Sequence, residues 1–149
     1  MQRHVTSFVT ATVALCAAVV ISACSRNSSS ATAPLQAGAI NGSWSGPLTD
    51  GILGSGTLSL TLNQFGDSVS GTWSSAFPNS NNDLVGTVAG TIAGSTLSVL
   101  LKPLGASTCQ YGPYELTATV TSAGSMSGTL AEAYPCVVAD SGSFSGTKQ

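Results

Sequence analysis

Leu84-Val85-Gly86-Thr87-Val88-Ala89-Gly90-Thr91-Ile92 runs with a period of two. Leu84, Gly86, Val88, Gly90 and Ile92 share one face, and Thr87, Ala89 and Thr91 the other. Successive side chains on opposite faces are the mark of an extended strand with one buried side. The same reading extends along the chain. Leu58, Leu60 and Leu62 alternate with Thr57, Ser59 and Thr61, and Val69, Gly71 and Trp73 alternate with Ser68, Ser70 and Thr72. Leu97, Val99 and Leu101 follow, then Tyr114, Leu116, Ala118 and Val120, then Met126, Gly128 and Leu130, then Gly142, Phe144 and Gly146. With Gly42 and Trp44 at the start, the pattern predicts an all-β domain of eight short strands over residues 40–149, each with an apolar and a Ser/Thr face. At about 110 residues, the domain is long enough for a single core.

The inward face mixes glycines with bulky residues, as a small barrel does to fill a tapering interior. The glycines also leave spare room inside as one reading. Connections alternate in length. Phe65-Gly66-Asp67, Ala93-Gly94-Ser95 and Ser122-Ala123-Gly124 are short, whereas Pro47–Gly54, Ser75–Asp83, Pro103–Gly112 and Glu132–Asp140 are long. In an up-and-down meander the four long ones lie at one end. The expectation is therefore a single eight-stranded antiparallel up-and-down barrel with a tight end and a loop-rich end.

Before the domain, a cationic start (Arg3, His4) leads into the uncharged run Val5 to Val20. That is the charge and hydropathy of a secretory signal. The run closes on Ile21-Ser22-Ala23-Cys24, which resembles a bacterial lipobox. The resemblance implies that residues 1–23 are a lipoprotein signal peptide and that Cys24 is acylated, for example with palmitate, and becomes the first mature residue. Two other readings stay open: a membrane-spanning anchor weakened by Thr6, Ser7, Thr10 and Thr12, and a soluble secreted chain cut after Ala23. Residues 24–39 are polar and Pro/Gly-bearing, a flexible Ser/Ala-rich tether reaching about 20 Å. Ser25 after the cysteine resembles outer-membrane sorting. The expected location is the bacterial cell envelope, on the outer membrane by preference, with the periplasmic or surface face left open.

Only 7% of residues are charged, against roughly 25% in ordinary soluble domains. Arg26, Lys102 and Lys148 are the mature basic residues, too few to neutralise phosphates, so nucleic-acid binding is excluded. His4 is the one histidine and lies in the signal, which removes a Ser/His/Asp triad. Cys16 lies in the signal too. Cys109 and Cys136 remain, on two long loops at the same end, and an oxidising compartment makes a disulfide their expected state. The ring it closes is worth about 3–4 kcal/mol in the chain-entropy account. A metal site on two thiols without histidine is not expected. No cofactor is expected, nor an enzyme.

Gly42-Ser43-Trp44 in the first strand and Lys148 late in the last are similar to the calycin superfamily, the avidin and lipocalin type of barrel. There an early Gly-x-Trp is covered by a late basic residue that closes the barrel floor. The resemblance covers about residues 40–149 and implies that Gly42, Trp44 and Lys148 are floor residues. Ser70-Gly71-Thr72-Trp73-Ser74-Ser75-Ala76 also looks like the second avidin hairpin. With Trp44 and Trp73 alone, the chain lacks the further tryptophans that line an avidin biotin site.

The loop-rich end gathers Asp50, Asp83, Glu115, Glu132 and Asp140 with Trp73, Phe77, Tyr111, Tyr114, Tyr134 and Lys102. An acidic, aromatic mouth suits an amphipathic or cationic ligand through stacking and cation–π contact. Trp73, Phe77, Tyr111, Tyr114, Tyr134, Asp50 and Asp83 are the expected ligand-binding residues. The bland alternative is that loops collect charge and that aromatics cap a core. Three functions follow: a small-ligand carrier, a protein-binding module such as an inhibitor of an exported enzyme, or a structural envelope lipoprotein with a filled barrel. A membrane-spanning barrel is not expected, because the outward face is Ser/Thr and most strands fall short of the ~9–11 residues a span needs.

Metabolic labelling with a radiolabelled fatty acid is expected to mark the wild-type chain and to fail on Cys24→Ala. Label retained on the variant would remove the lipidation site.

Overall fold

The computed structural model describes residues 39–105, 112–121, 124–134 and 139–149. Eight strands follow in order: β1 (Gly42–Asp50), β2 (Gly54–Phe65), β3 (Ser68–Ala76), β4 (Leu84–Ala93), β5 (Thr96–Pro103), β6 (Tyr114–Val120), β7 (Ser125–Glu132) and β8 (Ser141–Lys148). Each pairs antiparallel with the next, and β8 returns to β1 to close the barrel. Closure leaves no unpaired strand edge, so every strand finds its hydrogen bonds within the sheet. A 3-10 turn at Ser80–Asn82 sits between β3 and β4.

The period of two becomes the inside and outside of the barrel. Leu58, Leu60, Leu62, Leu97, Leu101 and Leu116 are fully buried, while Thr57, Thr61, Ser70, Thr72, Thr87 and Thr91 face outward. A one-residue slip would invert both faces of a strand, so the buried Leu rows fix the register. Hairpin β4–β5 turns through Gly94, whose φ of 59° is a left-handed conformation that glycine adopts freely.

The tight end is closed by a small cluster. Ile40 and Trp44 are fully buried, and Trp44 Nε1 donates to Ile40 O at 2.8 Å. Trp44 is paired across the closing seam with Lys148. The Lys148 ammonium lies 5.9 Å from the Trp44 ring centroid and donates to Ala39 O at 3.0 Å. The lysine stem also passes over Gly42, where a Cβ would sit 3.4 Å from Lys148 Cε. The three floor residues expected from sequence thus meet in one place.

Three expectations change. The connection Pro47–Gly54 is not long. β1 runs on to Asp50, so only residues 51–53 connect it to β2. Pro47 lies on the exposed outer side of β1, paired with Thr57, and Leu48 is buried on the inner side. Strand length is the second. β1 and β3 have 9 residues, β4 has 10 and β2 has 12, so half of the strands reach spanning length and only the Ser/Thr outer face argues against a membrane barrel. The inward glycines are the third. They do not leave space, because other atoms occupy the side on which a Cβ would stand. Phe77 lies against Gly56, the Trp73 indole against Gly86, and Phe144 against Gly146. At Gly71 the backbone carbonyl of Thr61 on β2 comes so close that no Cβ fits. The glycines let strands coil tightly and let aromatic rings approach the backbone closely.

The outer face is not uniform. It is Ser and Thr almost everywhere, but Val85, Ala89 and Ala93 on β4 and Leu100 on β5 point outward in one sector, and Leu104 joins them just after β5.

Trp44→Ala is expected to cost about 3–5 kcal/mol and Gly71→Ala about 1–3 kcal/mol through overpacking. Urea unfolding checks both. A cost near zero for either would mean that the floor, or the coiled β2–β3 contact, does not support the barrel.

Candidate functional site at the loop-rich end

Four of the residues expected at the mouth come together. Asp50 ends β1, Trp73 lies near the end of β3, Phe77 follows β3, and Tyr114 opens β6. They line one cavity with Leu48, Leu53, Leu58, Ser75, Leu84, Leu130, Ser141 and Gly142. The cavity measures about 20 Å³, room for one water molecule or one small ligand group. Below it the barrel is packed with Leu, Val and Met.

Local hydrogen bonds shape the mouth. Asp83 does not line the cavity. Its Oδ1 accepts from Phe77 N at 2.7 Å, which folds the loop after β3 so that Phe77 returns over the core. The Asn79 side chain accepts from Asn81 N at 3.2 Å and starts the 3-10 turn. Asp50 Oδ1 accepts from Ile52 N at 2.9 Å and Leu53 N at 2.6 Å. This is an Asx-type turn, the reason a short connection suffices between β1 and β2. Tyr134 lies apart, 72% exposed on the flank of the barrel. Tyr111, Cys109 and Cys136 lie outside the described residues, as do Cys24 and the segments expected to be signal and most of the tether.

The residue that sequence reading placed at this end without singling it out is Asp140. It stands immediately before β8, only 7% exposed. Its carbonyl accepts from Glu132 N at 2.9 Å, while its carboxyl is hydrogen-bonded to that of Asp50. Burial pushes the Asp140 carboxyl up from 3.8 to about 6. The charge of Asp50 and the hydrogen bond shared with it push the same way, as does Glu132, and the Ser141 backbone pulls against them. A buried carboxyl beside another holds its proton because two negative charges at short range in a low dielectric repel strongly.

Three buried polar atoms have no hydrogen-bond partner among the described residues: Trp73 Nε1, Ser75 Oγ and Asp140 Oδ1. Trp73 and Ser75 are each 5% exposed and two apart on β3, so both side chains face inward at the cavity. A buried polar group left unpaired costs about 1–3 kcal/mol. All three cluster at the loop-rich end; the floor carries none. What the arrangement offers chemically is one N–H donor and one hydroxyl on residues that line an apolar recess, with the Asp140 carboxyl outside that lining and against Asp50. Among the described residues, no group of three His, Cys, Asp or Glu side chains could hold a metal ion.

No protein-family model matches this chain, and no curated protein or solved structure matches it either.

The Asp50–Asp140 pair gives stability a sign with pH. The folded state holds the Asp140 proton more tightly than the unfolded chain does. Its contribution is complete below about 3.8 and is lost as pH rises through about 6. Asp140→Asn is expected to flatten this slope and to stabilise the neutral protein by on the order of 2 kcal/mol. Urea midpoints between about pH 4 and pH 8 test it. A flat wild-type profile, or a slope unchanged in the variant, would contradict the assignment.

Proposed function

We propose that this is an exported, lipid-anchored envelope protein of calycin type that binds a small amphipathic ligand group at its loop-rich end. The observation that carries the reading is the pair of unpartnered buried polar atoms on Trp73 and Ser75, two residues that line an apolar recess, with a third on Asp140 next to its wall. Binding sites of this kind combine apolar walls with a few convergent polar groups. Trp73 Nε1 calls for an acceptor, such as a hydroxyl or carbonyl oxygen. Ser75 Oγ can donate or accept at the recess. Leu48, Leu58, Phe77 and Tyr114 wall in the apolar part. The role is binding and not catalysis. Asp50 Oδ1 is committed to two backbone amides, and Asp140 is buried behind it.

The size of the recess narrows the mode of binding. It is far smaller than the ~300–1,000 Å³ of a pocket that encloses a whole ligand. A ligand is therefore held by its tip, with its remainder in solvent. The same volume favours a second reading, in which the tip is one side chain of a partner protein, as in an inhibitor of an exported enzyme. Gly42, Trp44 and Lys148 support the calycin reading through the floor they build. The lipid anchor rests on residues 1–24 as sequence.

Native mass spectrometry of the chain purified from its own envelope tests the site. The expected result is a retained small-molecule mass, or a stoichiometric protein, weakened about three- to tenfold by Trp73→Phe. That variant keeps an aromatic ring and deletes only the N–H donor. A bare chain in every preparation, or binding indifferent to Trp73→Phe, would overturn the proposal.

A further inference from the structure

The outer wall of the barrel carries a feature that ligand binding at the mouth does not use. In a closed barrel with a polar exterior, outward side chains should be Ser, Thr or charged all the way round. Two places depart from this: Phe65, 90% exposed at the end of β2, and a broader sector of β4 and β5. Val85 at the start of β4 and Leu104 just after β5 are 56% and 66% exposed, with Leu104 N donating to Val85 O at 2.8 Å. Further down the same two strands Ala89 pairs with Leu100, both on the outer side. Thr87 and Lys102 stand between these pairs, and a lysine stem extends an apolar surface while its ammonium reaches water.

This ridge is bordered by a groove on each side. One, of about 310 Å³, is lined by Ser59, Thr61, Thr72, Ser74, Val85 and Leu104. The other, of about 480 Å³, is lined by Ala89, Ser98, Leu100, Glu115, Thr117 and Tyr134. Both are far roomier than the recess inside the barrel. Ridge and groove on one face are what a two-fold interface requires, because the same patch must serve both copies.

The charges point to the same occupant. Lys102 on β5 and Glu115 on β6 are the charged side chains on the outward faces of the eight strands, and both are exposed in this sector. Leu100 is next to both: Glu115 is its cross-strand partner and Lys102 is two residues along its own strand. A two-fold axis lying between the lysine and the glutamate sets each copy's Lys102 against the other's Glu115, with Leu100 packed near the axis. A partner of one sign would be repelled by one of the two charges. A patch that carries one of each is complementary to itself.

We propose that the outer face of β4–β5, with Glu115 of β6, is the surface on which a second copy of this chain docks, through Leu100 and Leu104 and the reciprocal pair Lys102–Glu115.

Sedimentation velocity of the full-length chain in density-matched detergent tests it, over a concentration series. The expected result is a monomer–dimer equilibrium. Lys102→Glu and Glu115→Lys each set like charges together and are expected to weaken it about tenfold or more. The double variant, Lys102→Glu with Glu115→Lys, restores opposite charges across the axis and is expected to recover the dimer. Circular dichroism of each variant separates dissociation from misfolding, and Leu104→Ser gives an independent apolar test at a position already exposed. A monomer at every concentration would overturn the proposal. So would a dimer indifferent to all four variants, or single variants that dissociate without rescue in the double. A chain that stays monomeric but carries a stoichiometric foreign protein, lost on Leu104→Ser, would assign the face to that partner and overturn it as well.

Discussion

The pairing of β1 with β8 is the constraint on which the remainder of the structure rests. Seven hairpins alone would give an open, twisted sheet with two raw edges. Closing it joins Trp44 to Lys148 and Leu48 to Phe144 across the seam, and these are contacts between the two ends of the domain. Such contacts carry the largest loop-closure cost in the fold. They are held by the densest cluster of favourable terms at the tight end: a fully buried indole with its N–H satisfied, a cation over its face, and Ile40 packed beneath. Once closed, the Leu rows face a common axis and each strand's register is fixed by burial.

Closure also decides where chemistry can occur. The tight end satisfies its polar groups and the middle of the barrel is apolar and full. Buried polar atoms without partners are confined to the last layer before the mouth, where strands end and loops begin. Trp73 and Ser75 lie on β3, held by pairs on both sides with Leu60 and Leu58 on β2 and with Gly86 and Leu84 on β4. They cannot easily swing toward water. Asp50 and Asp140 are equally fixed, one by two turn amides and the other by the start of β8. The described part of the mouth holds a few unmet polar demands on strand-anchored side chains, an arrangement that favours a preorganised binding site.

The fold was legible in the sequence because a single variable, the alternation of apolar with Ser/Thr residues, carries strand position, facing and number together. The floor was legible through Trp44 and Lys148, whose meeting needs only the order of the first and last strands. The failures have equally specific causes. Pro47 looks like a loop residue, yet an outward position on β1 leaves it no role in the core, and the strand runs through it to Asp50. The inward glycines looked like vacant volume because a sequence shows the missing side chain and not the backbone or ring that takes its place. Trp73 over Gly86 and Phe77 against Gly56 depend on cross-strand register, which fixes neighbours far apart in the chain. Asp140 was placed at the right end but not in the site for the same reason. Its shift comes first from burial and then from Asp50, ninety positions away, and no local pattern announces either.

The two surfaces left over by the packed interior differ in kind. At the mouth, polar atoms are buried and unmet, so the demand is for a small group that can hydrogen-bond inside an apolar recess. On the β4–β5 flank the polar side chains are exposed and apolar ones are exposed beside them, so the demand is for area. One calls for a ligand tip, the other for a broad partner. Ile40 and the floor lie at the opposite end of the barrel from the mouth. The β4–β5 flank lies on the barrel wall between the two ends, so a partner seated there leaves the mouth open. The mouth offers little area, so binding there has to rely on the geometry of Trp73, Ser75 and the Asp50–Asp140 pair.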